Sequence, residues 1–149
     1  MTARHYVWVQ ATVAGVVNFV INPAIDWLTW RRKAPQPVWG FDGLVVNFVV
    51  TSLILSTLVG LFVWLGARSV DDDGTVSPRP WLHRLPRRGW LAGLALGAGA
   101  ALVAIAASGI AHVAGVTTLS LPSLLAVKAV YCGLLGFLVA RWVIFRTVA

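Results

Sequence analysis

A chain of 149 residues with 58% hydrophobic and only 11% charged residues lacks the polar material that a soluble domain needs to solvate its outside, about one charged residue in four. Its formal net charge of +7 comes from twelve Lys and Arg set against five acids, all of them Asp. One Cys, Gly and Pro without a period, and long apolar runs exclude a disulfide scaffold, a collagen-like repeat and disorder, which leaves a small polytopic membrane protein.

Crossing a bilayer core roughly 30 Å thick takes about 20 mostly apolar residues in a helix. Val7 to Ile25, Leu44 to Ala67, Trp90 to Ala111 and Leu124 to Ala140 meet that need and contain no Asp, Glu or Arg. With their flanks they give four spans over about 7–25, 44–67, 90–111 and 122–145, and a polar loop at 68–89. A membrane barrel would alternate over segments of about ten residues, whereas LVVNFVVTSLILSTLVGLFVWLG is apolar on every face. The expected fold is all-α, a single integral membrane four-helix bundle. A secretory signal is the rival reading of the first run, since Arg4 precedes it. Its length exceeds the roughly 7 to 15 apolar residues of such signals, and Asn22-Pro23, Asp26 and Trp27 offer no small-residue cleavage site, so it reads as a retained helix.

With four crossings the N-terminus, the 68–89 loop and the C-terminus share one side. That side holds Arg4, Arg68, Arg79, Arg84, Arg87, Arg88, Arg141 and Arg146, while Arg31, Arg32, Lys33 and Lys128 belong to the other. Cations concentrate on the cytoplasmic side, so both termini are expected there, in a cell membrane such as the bacterial inner membrane. Trp27, Trp30 and Trp39 surround the exported cations like an interfacial belt. The segment from Pro78 to Arg88 suits the cytoplasmic headgroup layer, where each cation gains about 1 kcal/mol near anionic lipid. Topology thus accounts for the positive charge, and no basic face is left to track a nucleic-acid backbone.

Helices in lipid associate through small residues and polar pairs. Gly93 and Gly97 form a GxxxG pair in span three, continued by Ala100, Ala104, Ser108 and Ala111. Span four offers Ala129, Gly133, Gly136 and Ala140, and span two has Ser52, Ser56 and Gly60 at intervals of four. Spans three and four are expected to form a tight hairpin around residues 115–121, with Gly93, Gly97, Gly133 and Gly136 as packing positions. The tetrapeptide Val-Val-Asn-Phe occurs at 16–19 and again at 45–48, a trace of duplication or a coincidence in a Val-rich chain.

Polar groups in hydrocarbon are costly and usually face protein or water, so each is a candidate site residue. Asn18, Asn22 and Asp26 recur at intervals of four and share one helical face. Asp42, Asn47 and Thr51 lie toward the same membrane face on span two, with Asp42 off the line of the other two. Lys128, six residues beyond Pro122, sits about 9 Å into span four and is the natural cation to meet them. Pro23 disfavours helix at Asn22, so a kink or early end is expected there. Two readings follow. Lys128 pairs with Asp26 or Asp42 as a helix latch, or snorkels to the headgroups. Alternatively, Lys128 holds an anionic group in a pocket oriented by Asn18, Asn22 and Asn47, with Asp26 or Asp42 balancing it when empty.

Other chemistry finds little footing. No carboxylate lies mid-span for a proton-coupled antiporter, and His5 and His112 belong to opposite faces with His83 in a loop, which is awkward for haem. Asp71-Asp72-Asp73 is the one acid cluster and reads as a solvated loop start rather than a metal site. Ser108 near His112 lacks an acid partner, and no enzyme motif is present. Neither an enzymatic activity nor a cofactor is expected.

Asn18-Phe19-Val20-Ile21-Asn22, then Val38-Trp39-Gly40 with Asp42, the Pro- and Arg-rich middle loop, and Leu125-Ala126-Val127-Lys128-Ala129-Val130-Tyr131 resemble small, uncharacterised four-span bacterial proteins loosely labelled permease. That resemblance singles out Asn22, Asp42 and Lys128 as the polar positions of the pattern. The closing Arg141-Trp142-Val143-Ile144-Phe145-Arg146 is similar to the last element of the GtrA-like family, four-span proteins implicated in moving polyprenyl-phosphate sugars across membranes. Span two departs from that family's pattern with Trp64-Leu65-Gly66-Ala67-Arg68.

The expected function is carrier- or flippase-like handling of an anionic or lipid-linked ligand. The alternative is a non-catalytic accessory subunit that positions a larger membrane complex through the small-residue faces of spans three and four and the basic loop. Four short helices rarely enclose a pathway alone, so membrane lipids and a homo-oligomer or larger membrane partner are expected. A carrier should assemble but lose activity on Lys128→Met, whereas an accessory subunit should tolerate that change and fail on Gly97→Leu or Gly133→Leu.

Overall fold

The computed structural model describes residues 2–33, 35–70, 84 and 86–148. Asp71–Asp73, His83 and most of the basic loop segment lie outside the described residues. Four helices dominate: α1 (Ala3–Trp30), α2 (Leu44–Ala67), α3 (Gly89–Val113) and α4 (Leu121–Val148), each long and apolar enough to cross a membrane. In lipid every backbone polar group needs an internal partner, which only continuous helix supplies to a lone span. That demand overrides Pro23. The early end expected at Asn22 does not occur; α1 continues through Pro23 to Trp30, so Asp26 lies inside the helix, one turn before its end. At the other end Thr2 caps α1, its hydroxyl accepting from the His5 backbone N–H at 3.3 Å.

The helices pack in the spatial order α1, α4, α2, α3, with α4 between α1 and α2 and α3 against the outer side of α2. The expected tight hairpin of spans three and four therefore does not form. Small residues do set the packing, with other partners. A Cβ at Gly93 would lie 2.1 Å from the Ser56 carbonyl oxygen, and one at Gly97 would lie 2.7 Å from that of Ser52. These glycines let α3 press backbone to backbone on the Ser52, Ser56 and Gly60 face of α2. Gly133 and Gly136 do the same toward α1, where added Cβ atoms would meet Phe19 Cβ at 3.1 Å and the Ala14 carbonyl oxygen at 2.9 Å. Gly15 is the counterpart on α1, facing the Gly133 carbonyl. The small positions on α1 and α2 complement those on α4 and α3 more closely than α3 and α4 complement each other.

Two loops meet at one end of the bundle. β1 (Gln36–Pro37) and β2 (Thr118–Leu119) form an antiparallel pair, with Gln36 opposite Leu119 and Pro37 opposite Thr118. The Val38 N–H extends the ladder to the Thr117 carbonyl at 2.9 Å, and the Trp39 ring stacks on His112 at 6.2 Å. This short clasp was not anticipated from the sequence; it needs the tight reversals that Gly40 and Gly115 make at positive φ. It holds the ends of all four helices in place beneath it. Outward faces carry exposed Val, Ile, Leu and Phe, as helix surfaces bathed in lipid require.

Candidate functional site

Beneath the clasp, three helices converge on one cation. Lys128 is the eighth residue of α4, about 10 Å along the helix from its start, and it is only 2% exposed. Its ammonium lies 2.9 Å from Asp26 Oδ2 of α1 and donates to Asn47 Oδ1 of α2. The Phe48 ring covers it at 5.2 Å, adding a cation–π contact. A lone ammonium in hydrocarbon is untenable; here an acid, an amide and a π-face replace its water. Chemically, this is a closed three-helix latch.

Below it a second polar layer ties α4 to α2 and α3. Ser52 donates to the Phe48 carbonyl at 2.6 Å and accepts from the Tyr131 hydroxyl at 2.5 Å, and the Tyr131 oxygen also lies 3.2 Å from the Ala100 carbonyl, which shares its one proton. The Tyr131 ring meets Phe48 edge-on at 5.2 Å. Sequence reasoning assigned no role to Tyr131 or Phe48. The spacing of three from Lys128 to Tyr131, which puts both on one face of α4, was the available signal.

The remaining predicted residues divide. Asn18 and Asn22 form a ladder on α1: Asn18 Nδ2 donates to the Ala14 carbonyl at 2.8 Å, and Asn22 Nδ2 to Asn18 Oδ1 at 3.0 Å. Both are half-buried and line an open groove of about 510 Å³ between α1 and α2, whose walls include Val17, Ile21, Thr51, Ile54 and Phe62. Asp42 is not part of the cluster. It is exposed in the loop before α2, which is drawn to the clasp through Val38 and the Gly43-to-Gly40 turn, two residues ahead of the positive end of the α2 dipole. Among the described residues Asp26 alone is the acid partner of Lys128. Thus Lys128, Asp26 and Asn47 come together, Asn18 and Asn22 line the neighbouring groove, and Asp42 stands apart.

Among the described residues no three His, Cys, Asp or Glu side chains gather into a metal-binding group, and Cys132 is buried and free. No protein family, curated protein or solved structure matches the chain.

Proposed function

We propose that this multi-pass membrane protein handles an anionic or lipid-linked amphiphile in carrier- or flippase-like fashion, and that the groove between α1 and α2 is where the ligand sits. The observation that supports this most is the groove itself. It opens sideways between exposed apolar residues, yet its wall carries the Asn18–Asn22 amide ladder. From Gln10 to Ile25 it follows α1 for about 22 Å, a length suited to an acyl or prenyl chain. Asn18 Nδ2, with one N–H on the Ala14 carbonyl, keeps a second to offer to ester or phosphate oxygens. Cations gather beyond both ends, Arg31, Arg32 and Lys33 at one and Arg4 and Arg68 at the other, which favours an anionic headgroup. Lys128 acts as the latch: it ties Asp26 on α1 and Asn47 on α2 to α4, just past the lining residues Ile25 and Val50, and so keeps the two groove walls apart. The orientation that fits the charge distribution puts both termini in the cytoplasm of a bacterial cell, and oligomerisation or a larger partner would complete a pathway. Of the surfaces assigned to the accessory-subunit reading, the glycines of α3 and α4 pack on α2 and α1, and most of the basic loop lies outside the described residues.

The test is gentle purification from native membrane followed by mass spectrometry of everything retained. An anionic lipid should remain bound to the wild type and be lost from Ile21→Trp/Ile54→Trp, with an unchanged melting temperature. A stoichiometric protein in place of the lipid would overturn the proposal in favour of the accessory reading, and retention of neither would overturn it outright.

A further inference from the structure

On the far flank of α1 from the groove, the structure assigns Arg141 as the anchor of a second site, one that binds the phosphate of an anionic membrane lipid in the leaflet on the side of the chain termini. Arg141 lies on α4, and its guanidinium carbon sits 4.6 Å from the Trp8 ring centroid of α1, 5.5 Å from Trp142 and 5.6 Å from Phe145. These rings hold the side chain in one direction while leaving it half-buried rather than sealed. They satisfy charge by their π-faces but accept no strong hydrogen bond. Nε is buried and has no hydrogen-bond partner, and the described acids, Asp26 and Asp42, belong to the other end of the bundle. A guanidinium stays charged and presents its donors as a planar fork that matches two phosphate oxygens.

Depth decides what can meet that fork. The midpoint of α4 falls between Leu134 and Leu135, so the Arg141 backbone lies about 10 Å from it. Half of the hydrocarbon core is about 15 Å, and the side chain spans the difference. The donors therefore reach the phosphate layer, where lipid headgroups are the abundant acceptors. An anionic phosphodiester is preferred over a zwitterionic one because the described acids, Asp26 and Asp42, belong to the other end of the bundle, so that none among the described residues stands beside Arg141 to welcome a choline cation. The site shares no residue with the α1–α2 groove and does not depend on the function proposed for it.

Lipid binding is measured by native mass spectrometry of the detergent-purified full chain titrated with phosphatidylglycerol, phosphatidylcholine or inorganic phosphate, in the wild-type and the Ile21→Trp/Ile54→Trp backgrounds. In both, one phosphatidylglycerol should bind about tenfold more tightly than phosphatidylcholine, and inorganic phosphate should not compete at millimolar concentration. Arg141→Lys retains charge but not the fork, and should weaken phosphatidylglycerol binding about tenfold, the loss of one charge-assisted hydrogen bond. Trp8→Leu should weaken it less, and in the groove-filled background the exposed Arg68→Gln should leave it unchanged. Equal binding of the two lipids, full retention by Arg141→Lys, or displacement by inorganic phosphate would overturn the assignment. Loss of the preference only in the groove-filled background would assign that lipid to the groove instead.

Discussion

The central helix carries two cations, Lys128 and Arg141, at nearly equal distances of about 10 Å on either side of its midpoint. Both face α1 and each touches an aromatic ring, yet the fold treats them in opposite ways. Around Lys128 it brings an acid and an amide from two other helices and closes the site to 2% exposure. Around Arg141 it brings Trp8, Trp142 and Phe145, and leaves Nε without a hydrogen-bond partner. A charge in hydrocarbon has to be answered, but the answer can come from the protein or from the membrane. The first makes a structural joint and the second a lipid contact, and the two predict different responses to mutation.

The largest expected effect is at the joint. Lys128→Met leaves Asp26 buried opposite Asn47 with no cation, and removing one member of a buried pair costs about 3–5 kcal/mol. A fall in melting temperature or steric-trapping stability of that order should be largely reversed in Lys128→Met/Asp26→Leu, where both charges are gone. If the double variant is no better than the single one, the pair is not what makes Lys128 important.

The helix-packing surface comes next. Gly93→Ala would force a Cβ to 2.1 Å from the Ser56 carbonyl oxygen, which is backbone and cannot step aside. Separation of α2 and α3 should cost about 1–3 kcal/mol, as overpacking does elsewhere. Gly99→Ala on the same helix is the control, since its Cβ would meet nothing within 4 Å, and its stability should equal or exceed that of wild type. Equal losses at both positions would mean that glycine flexibility, rather than close approach, governs α3.

How much of this was legible in the sequence can be judged residue by residue. The four spans, the all-helical fold and the meeting of Lys128 with Asp26 follow from apolar run length and the cost of isolated charge, physics that acts within a segment or between rare charged groups. The spatial order of the helices does not follow. Gly93, Gly97, Gly133 and Gly136 announce close packing but not its partner, because any small-residue face can seat any other, and the choice depends on matching two surfaces atom by atom. Asp42 looked equivalent to Asp26 by distance from a span end. The clasp, which fixes the direction of its loop, involves backbone bonds that leave little trace in composition. Arg141 was counted only as a topological charge, and its aromatic cage required knowing that Trp8 lies across the α1–α4 contact.

A smaller effect would sharpen the description of the Lys128 end. Tyr131→Phe keeps the edge-on ring contact with Phe48 and removes only the hydroxyl between Ser52 and the Ala100 carbonyl. Interhelical hydrogen bonds in membranes average about 0.6 kcal/mol, so the variant should lose about that much. Coupling to Ser52→Ala in a double-mutant cycle should account for most of it. Additive losses would show that the two hydroxyls act separately rather than as one bolt through α2, α3 and α4.

The smallest expected effect is the most discriminating. Arg141→Gln, measured in a neutral detergent without added lipid, removes cation–π contacts worth about 0.5–1 kcal/mol each at partly exposed sites. It also removes a charge whose insertion near a helix centre costs about 2.5–3.5 kcal/mol, and less toward the interface. The two nearly cancel, so the melting temperature should move little, in contrast to Lys128→Met. Adding phosphatidylglycerol should then stabilise wild type and leave Arg141→Gln unmoved, since a ligand stabilises only the form that binds it. A loss in Arg141→Gln as large as that of Lys128→Met, with no response of the wild type to lipid, would mean that this end also holds a carboxylate partner from within the chain. The two ends of α4 would then be joints of the same kind.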